Sequence, residues 1–489
     1  MKYVIFNYLQ QFAMQEPHRM YMFDESKQYT ASDTFFAVVD AANKLYKMGL
    51  NNGNMVVLHA KRCVETVVVY YALQALGVVA VLADPHNVES VRNDTKQLGI
   101  AEKAEILYQA NGSWKVDFST HVCEFFVETS SCVAQFPLAT NHLAPSTVVL
   151  TSGSTGHCKG VVLCQKNILN HVLNYSVAGN YLKEDIALEL LPLHHVFGLT
   201  VPIQALIRRH KLLFPREVSV QNVAEMVEKY CVNRVDSVPT FALALAHYKQ
   251  QNNLSLNSIE KGIIGGAPVS AKQFAFIEKT LHIKLMPVYG MSECIGISGV
   301  DLFAPQHFRQ HSVGKFLPTC QGKIVDTNGV ALPQNQQGEI CVKCPSVMLG
   351  YFGDEDATQL AMDSDGFLHT GDLGYIDQEN YLYVTGRIKD IVIRNGHNIS
   401  SIKVENVVKA MDDVFDACVV GIADDVIGEA LCVAVVLKNK MTLQKFQDKL
   451  SQLLSKLEMP SKILLMEQLP LTSTRKPDKQ AIKQLFAGK

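Results

Sequence analysis

The run Thr151-Ser152-Gly153-Ser154-Thr155-Gly156-His157-Cys158-Lys159-Gly160 gathers hydroxyls, glycines and one lysine directly after a strand expected over 147–150. Glycines let a backbone turn and bring N–H groups close to an anion. The hydroxyls add donors and Lys159 adds a mobile positive charge. That is phosphate-binding chemistry. The Gly-Lys-Ser/Thr order of a Walker A loop is missing, and a Ser/Gly-rich surface turn is the competing reading. Cys341 and Cys344 form a single C-x-x-C with no second pair at zinc-ribbon spacing. They read as two small apolar residues on one strand rather than as a metal site.

The rest of the chain must hold such a loop. Its 489 residues imply roughly two to four packed units. With 48% hydrophobic and 19% charged residues, a large core is expected and disorder is not. Lys plus Arg number 45 against 47 Asp plus Glu, a net charge of -2, which excludes a general nucleic-acid binder but not one anion in a local basic pocket. Twelve irregularly spaced cysteines, and an N-terminus without a cationic leader and cleavage site, predict a cytoplasmic chain with reduced thiols. Residues 67–83 are apolar except for Gln74, fall short of the ~20 residues of a spanning helix, and are interrupted by Gly77. They predict a buried helix over 64–76 and a buried strand over 78–82, with no membrane span.

From about residue 30 to 300, short Val/Ile/Leu runs (55–58, 148–150, 235–238, 262–264) alternate with helix-like segments such as 167–178 and 222–230. This rhythm predicts a large α/β N-terminal domain of mostly parallel sheets covered by helices, residues 1–387. Turn-rich residues 310–385 predict a β-rich antiparallel subdomain within it. A small α+β C-terminal domain is expected over 388–489, with helices over 404–411 and 443–457 and strands over 417–422 and 430–437.

The loop resembles the signature loop of the adenylate-forming enzymes, a superfamily of acyl-CoA synthetases, adenylation domains and luciferases, with Cys158 where Pro is usual. Further fragments follow in the family's order over nearly the whole chain: Tyr289-Gly290-Met291-Ser292-Glu293, Lys323-Ile324-Val325-Asp326, Gly338-Glu339-Ile340, Val347-Met348-Leu349-Gly350-Tyr351, Thr370-Gly371-Asp372, Gly386-Arg387-Ile388-Lys389-Asp390, and Leu469-Pro470-Leu471-Thr472-Ser473-Thr474-Arg475-Lys476. The chain is therefore expected to convert a carboxylic acid and ATP to acyl-AMP and pyrophosphate. Both reactants are anions, so the site must cancel charge and hold them in line.

The resemblance assigns ATP binding to Thr151, Ser152, Gly153, Ser154, Thr155, Gly156 and Lys159, and also to Gly290, Met291 and Ser292. Gly265, Gly266, Ala267, Pro268 and Tyr289 would line the adenine and acyl pockets. Glu293, with Thr151 or Thr155, would hold Mg²⁺. Asp372 would accept the ribose hydroxyls, supported by Arg387. Lys476 would be the catalytic cation between carboxylate and α-phosphate, although Arg475 replaces the glycine usually before it. A mobile small domain hinged at Lys389 would then admit the thiol of CoA beside Gly396, His397 and Asn398, where Ser401 and Lys403 depart from the family's Pro and acid.

Leu193-His194-His195-Val196-Phe197-Gly198-Leu199 resembles the H-x-x-G-L segment of acyl- and aryl-CoA synthetases, and implies that His195, beside His194, closes on the carboxylate or the pantetheine. No Asp stands between 190 and 199 to bind an amino-acid ammonium. With Val238, Pro239, Thr240 and Gly266 as pocket candidates, an uncharged fatty or aromatic acid is expected. Two alternatives stand beside a CoA ligase: loading of a separate carrier protein, and a degenerate nucleotide-binding relative without turnover. A homodimer is compatible with the sequence.

Overall fold

A computed structural model describes residues 4–118, 120–152, 158–424, 426–471 and 477–487. At its centre the strands Met55–His59, Val79–Ala83, Ala104–Tyr108 and Pro145–Ser152 pair in parallel. Their continuous apolar runs suit strands covered on both faces, and every residue of Val79–Ala83 is buried. Antiparallel strands extend both edges into an eight-stranded sheet, with Trp114–Phe118 and Val122–Phe125 on one side and Cys158–Cys164 and Gly350–Tyr351 on the other. The helix Val64–Leu76 is buried at all of its positions, and Gly77 ends it at φ 72, a left-handed conformation that glycine adopts without strain. Among the described residues no helix is long and apolar enough to cross a membrane.

Two further sheets build the rest of the large α/β part. One joins Ile186–Leu188, Lys211–Leu213, Met20–Phe23 and Gln28–Thr30; the other joins Lys261–Ile264, Lys284–Met291, Cys294–Gly299 and Lys315–Phe316. The strand expected over 235–238 is reduced to isolated bridges at Arg234 and Ser237. The cause is local: Asp236 Oδ1 accepts the Ile263 amide at 2.7 Å, taking a ladder donor, and Pro239 already opens the helix Pro239–Asn252.

The turn-rich region forms the antiparallel sheet Gln321–Val325, Gly338–Lys343, Leu368–Ile376 and Leu382–Arg387. Cys341 lies inside its strand, but Cys344 falls just beyond the end, so the two thiols do not share one strand. The C-terminal part packs Ser401–Lys409 and Leu443–Ser451 on a sheet led by the long pair Val414–Asp424 and Gly428–Leu437. Val404, Val408, Val433, Phe446 and Leu450 belong to its own core. The first of these helices starts earlier than expected because Ser400 caps it, its hydroxyl accepting the Lys403 amide at 3.2 Å.

Candidate active site

The antiparallel strands Lys284–Met291 and Cys294–Gly299 leave a two-residue tip, Ser292-Glu293. Gly290 permits the crossing, since a Cβ there would sit 2.3 Å from the Ile295 carbonyl oxygen. Before the tip, Tyr289 donates its hydroxyl to Asp372 Oδ2 at 2.6 Å. Arg387, paired with Asp372 across the neighbouring strands, donates Nε to Oδ1 at 2.7 Å. Burial opposes the Arg387 charge, but Asp372 more than offsets it and raises its pKa. Burial, with the Asp372 charge, keeps the Tyr289 phenol protonated. The result is a carboxylate held in a fixed orientation, with lone pairs left to accept further hydrogen bonds.

Glu339, quoted in the sequence only as part of a motif, presets that carboxylate. Its Oε1 accepts the Gly371 amide at 2.9 Å, and His369 Nδ1 lies 2.9 Å from Oε2. The turn before Asp372 is thus tied to the adjacent strand.

Glu293 Oε1 accepts the Tyr351 hydroxyl at 2.8 Å, and its carbonyl accepts the Met348 amide at 2.8 Å. Lys159 Nζ lies 4.2 Å from the centre of the Tyr351 ring, a cation–π contact. Thr151 Oγ1 donates to the Lys159 carbonyl at 3.3 Å. Tyr351 therefore links the acid at the hairpin tip to the lysine of the Ser/Thr/Gly loop. The loop's ends are pinned opposite each other by the pairs Thr151↔Lys159 and Ser152↔Cys158. Burial pushes the Cys158 thiol up to about 11, so at neutral pH it stands there as an uncharged group.

Beside this cluster lies a cavity of about 160 Å³. His195, Val238, Gly266, Gly290, Met291 and Ser292, all expected from the sequence, line it. His195 directly precedes the helix Val196–Arg208, whose first residues Val196, Phe197 and Gly198 also line the cavity. A helix N-terminus favours an anion there. His194 is buried, its ring 4.3 Å from that of His195, and burial lowers its pKa.

The far wall was not legible in the sequence. His171 and Tyr175 come from the helix Gln165–Ala178, and burial drives the His171 pKa down to about 3. Tyr181 donates to Asp236 Oδ2 at 2.7 Å, while Arg234 lies 3.2 Å over its ring and pairs with Asp236. Only the alternation of apolar and polar residues could have hinted at these positions, and it cannot say which face meets a cavity.

Other expected residues do not line the cavity. Pro239 and Thr240 form the first turn of Pro239–Asn252 and do not line the cavity. Gly265, Ala267 and Pro268 follow the strand Lys261–Ile264. Lys389 sits in the short 3₁₀ turn Ile388–Asp390, next to the Asp390–Lys479 ion pair of 2.6 Å. Gly396 takes φ 76 at the tip of the hairpin Ile391–Arg394 and His397–Ser400, where His397 and Asn398 are exposed. Ser401 is buried, and Lys403 pairs with Glu458 at 2.7 Å. Gly153, Ser154, Thr155, Gly156, Arg475 and Lys476 lie outside the described residues, as does the side chain of Ser152.

The sequence matches the AMP-binding enzyme family over residues 9–352 and the AMP-binding enzyme C-terminal domain over residues 403–476. A 2-succinylbenzoate–CoA ligase of Bacillus cereus is 29% identical over 486 residues, covering 98% of each chain. A 4-coumarate–CoA ligase of Humulus lupulus is 27% identical over 491 residues, covering 94% of this chain and 88% of the relative. Among solved structures, the o-succinylbenzoate CoA synthetase of Bacillus subtilis in complex with its acyl-adenylate intermediate aligns with a TM-score of 0.82 at 25% identity over 98% of each chain. ATP-bound MatB from Rhodopseudomonas palustris shares the fold, with a TM-score of 0.86 at 22% identity over 99% of each chain.

Proposed function

This chain belongs to the AMP-binding enzyme family, and from that premise we propose that it is an AMP-forming ligase joining a single-ring aromatic acid to CoA. The observation that carries the acid class is the cavity of about 160 Å³ beside Ser292 and His195. An engineered apolar cavity of about 150 Å³ holds benzene. One ring fits such a space. The 4-coumarate and 2-succinylbenzoate in the relatives' names are both single-ring aromatic acids.

In the first step a carboxylate oxygen attacks the α-phosphorus of ATP and pyrophosphate leaves. Asp372, held by Tyr289 and Arg387, offers its remaining lone pairs to the ribose hydroxyls. The amides and hydroxyls of residues 151–156, with Lys159, bind the phosphates. The N-terminus of Val196–Arg208 and His195 orient the carboxylate at the mouth of the cavity. Lys476 would supply an ammonium to the two reacting anions, where one such group is worth roughly 10²–10³ in rate. Glu293 and Thr151 are hard oxygen donors on either side of the Tyr351–Lys159 contact and suit Mg²⁺. When bound, the ion supplies neutralisation of phosphate charge.

In the second step the thiol of CoA attacks the acyl carbonyl and AMP leaves. Rotation of the small domain about Lys389 brings the Gly396–His397–Asn398 tip to border the thiol path. We place the enzyme in the cytoplasm, where its twelve cysteines would be reduced.

Pyrophosphate exchange measured over benzoates, cinnamates and fatty acids tests the proposal. Exchange with single-ring acids, followed by aryl-CoA formation, is the expected result. Faster exchange with long-chain fatty acids would overturn the acid class, and exchange without CoA consumption would point to a carrier protein as acceptor.

A further inference from the structure

Next to Glu293 three thiols meet that the ligase chemistry does not use. Cys294 follows Glu293 at the start of its strand and is wholly buried. Its sulfur lies 3.4 Å from Cys344 Sγ. Cys320 completes the cluster, its Sγ 3.7 Å from the Gly296 carbonyl, to which Cys294 Sγ also donates at 3.8 Å. Cys344 is half-buried, so a small oxidant has a route to it.

We propose that Cys294 and Cys344 are a reversible oxidation site, at which a hydroperoxide converts the two thiols to a disulfide and slows adenylation. The Cys344 thiolate attacks one peroxide oxygen, the O–O bond breaks, and a sulfenic acid forms with loss of hydroxide. The Cys294 sulfur then attacks the Cys344 sulfur, and the departing hydroxide takes the Cys294 proton as water. In sum, two thiols and one hydrogen peroxide give one disulfide and two waters. Cys344 is half-buried and Cys294 wholly buried, so Cys344 is the thiol that a peroxide reaches first.

The link would reach the active site through three short connections. An S–S bond is about 2.05 Å long, so sulfurs now 3.4 Å apart must approach. Val347 bridges to Cys294, and the Met348 amide is bonded to the Glu293 carbonyl. Asn167 Nδ2 holds the carbonyls of Pro345 and Val347 at 2.8 Å each, so the segment 344–348 cannot yield freely. The displacement is therefore shared with Glu293. A misplacement of about 1 Å in a catalytic constellation can cost ~10²-fold in rate.

The test uses the full chain, reduced and then exposed to hydrogen peroxide, with non-reducing peptide mapping by mass spectrometry and pyrophosphate exchange on the same sample. A Cys294–Cys344 linked peptide should appear, exchange should fall about ten- to hundredfold, and dithiothreitol should reverse both. Cys344→Ser should keep its exchange activity in peroxide, whereas Cys231→Ser, at an exposed thiol, should lose it as the unsubstituted chain does. Absence of the linked peptide, a link to Cys320 instead, unchanged activity despite the link, or equal loss in Cys344→Ser would each overturn the proposal. The mapping needs no known acid, so its outcome is separable from that of the ligase reading.

Discussion

Tyr289 donates its phenolic hydrogen to Asp372 Oδ2 at 2.6 Å, from the strand that ends at the Ser292-Glu293 tip to a different sheet. The contact ties the carboxylate proposed to bind ribose to the hairpin carrying the proposed metal ligand. Asp372→Ala should weaken ATP binding by about 1.5–3 kcal/mol, the worth of hydrogen bonds to a charged group. Tyr289→Phe keeps the charge and should cost only about 1 kcal/mol. Nucleotide titration calorimetry on both variants checks the order.

Tyr351 stands between Glu293 and Lys159. Tyr351→Phe should leave acid binding unchanged and raise the Mg²⁺ concentration needed for half-maximal exchange by about 10–100-fold, as loss of a partner that orients a metal ligand does. Initial rates against Mg²⁺ measure this. Glu293→Gln should be more severe than Tyr351→Phe at every Mg²⁺ concentration.

Arg234 and Asp236 are each 1% exposed, 3.2 Å apart, and support Tyr181 at the cavity wall. Asp236→Ala leaves a guanidinium buried and unpaired. It should lower stability by about 3–5 kcal/mol, read from the midpoint of urea unfolding. It should also loosen the selection between acids of different ring substitution.

Burial drives His171 and His210 down to about 3. An unfolded histidine titrates near 6.5, so between these values the unfolded chain binds more protons than the folded one. The stabilisation is complete above about pH 6.5 and is lost as pH falls, by up to about 1.4 kcal/mol per pH unit for each histidine. Urea unfolding between pH 7 and pH 5 should show this slope, and His210→Gln should flatten it. His210 stacks on Tyr181 and does not line the cavity, so the variant should retain exchange.

Much of the fold was legible because local signals agreed with tertiary need. The helix Val64–Leu76 is framed by an apolar run and Gly77, and it has the bounds expected. The helix expected to reach 457 stops at Ser451, since Ser455 and Glu458 bond each other in a turn. The strand expected at 235–238 failed because a buried carboxylate two residues from Arg234 competes for the ladder, and letters alone do not reveal that competition. Motif order brought Tyr289, Glu293, Asp372 and Arg387 to attention. Their joints, Tyr351 on Glu293 and Glu339 on Gly371, depend on strands far apart in sequence meeting in register. The thiol cluster was hidden for the same reason: Cys294 and Cys344 are 50 residues apart, and the visible C-x-x-C pairs Cys344 with the wrong neighbour.

Adenylation requires that a carboxylate oxygen bond to the α-phosphorus of ATP. Its most direct test follows a single-ring aromatic acid labelled with oxygen-18 in its carboxyl group through one turnover with ATP, Mg²⁺ and CoA. One labelled oxygen should appear in AMP, with none in pyrophosphate. Unlabelled AMP, or ADP and labelled phosphate as products, would contradict the account.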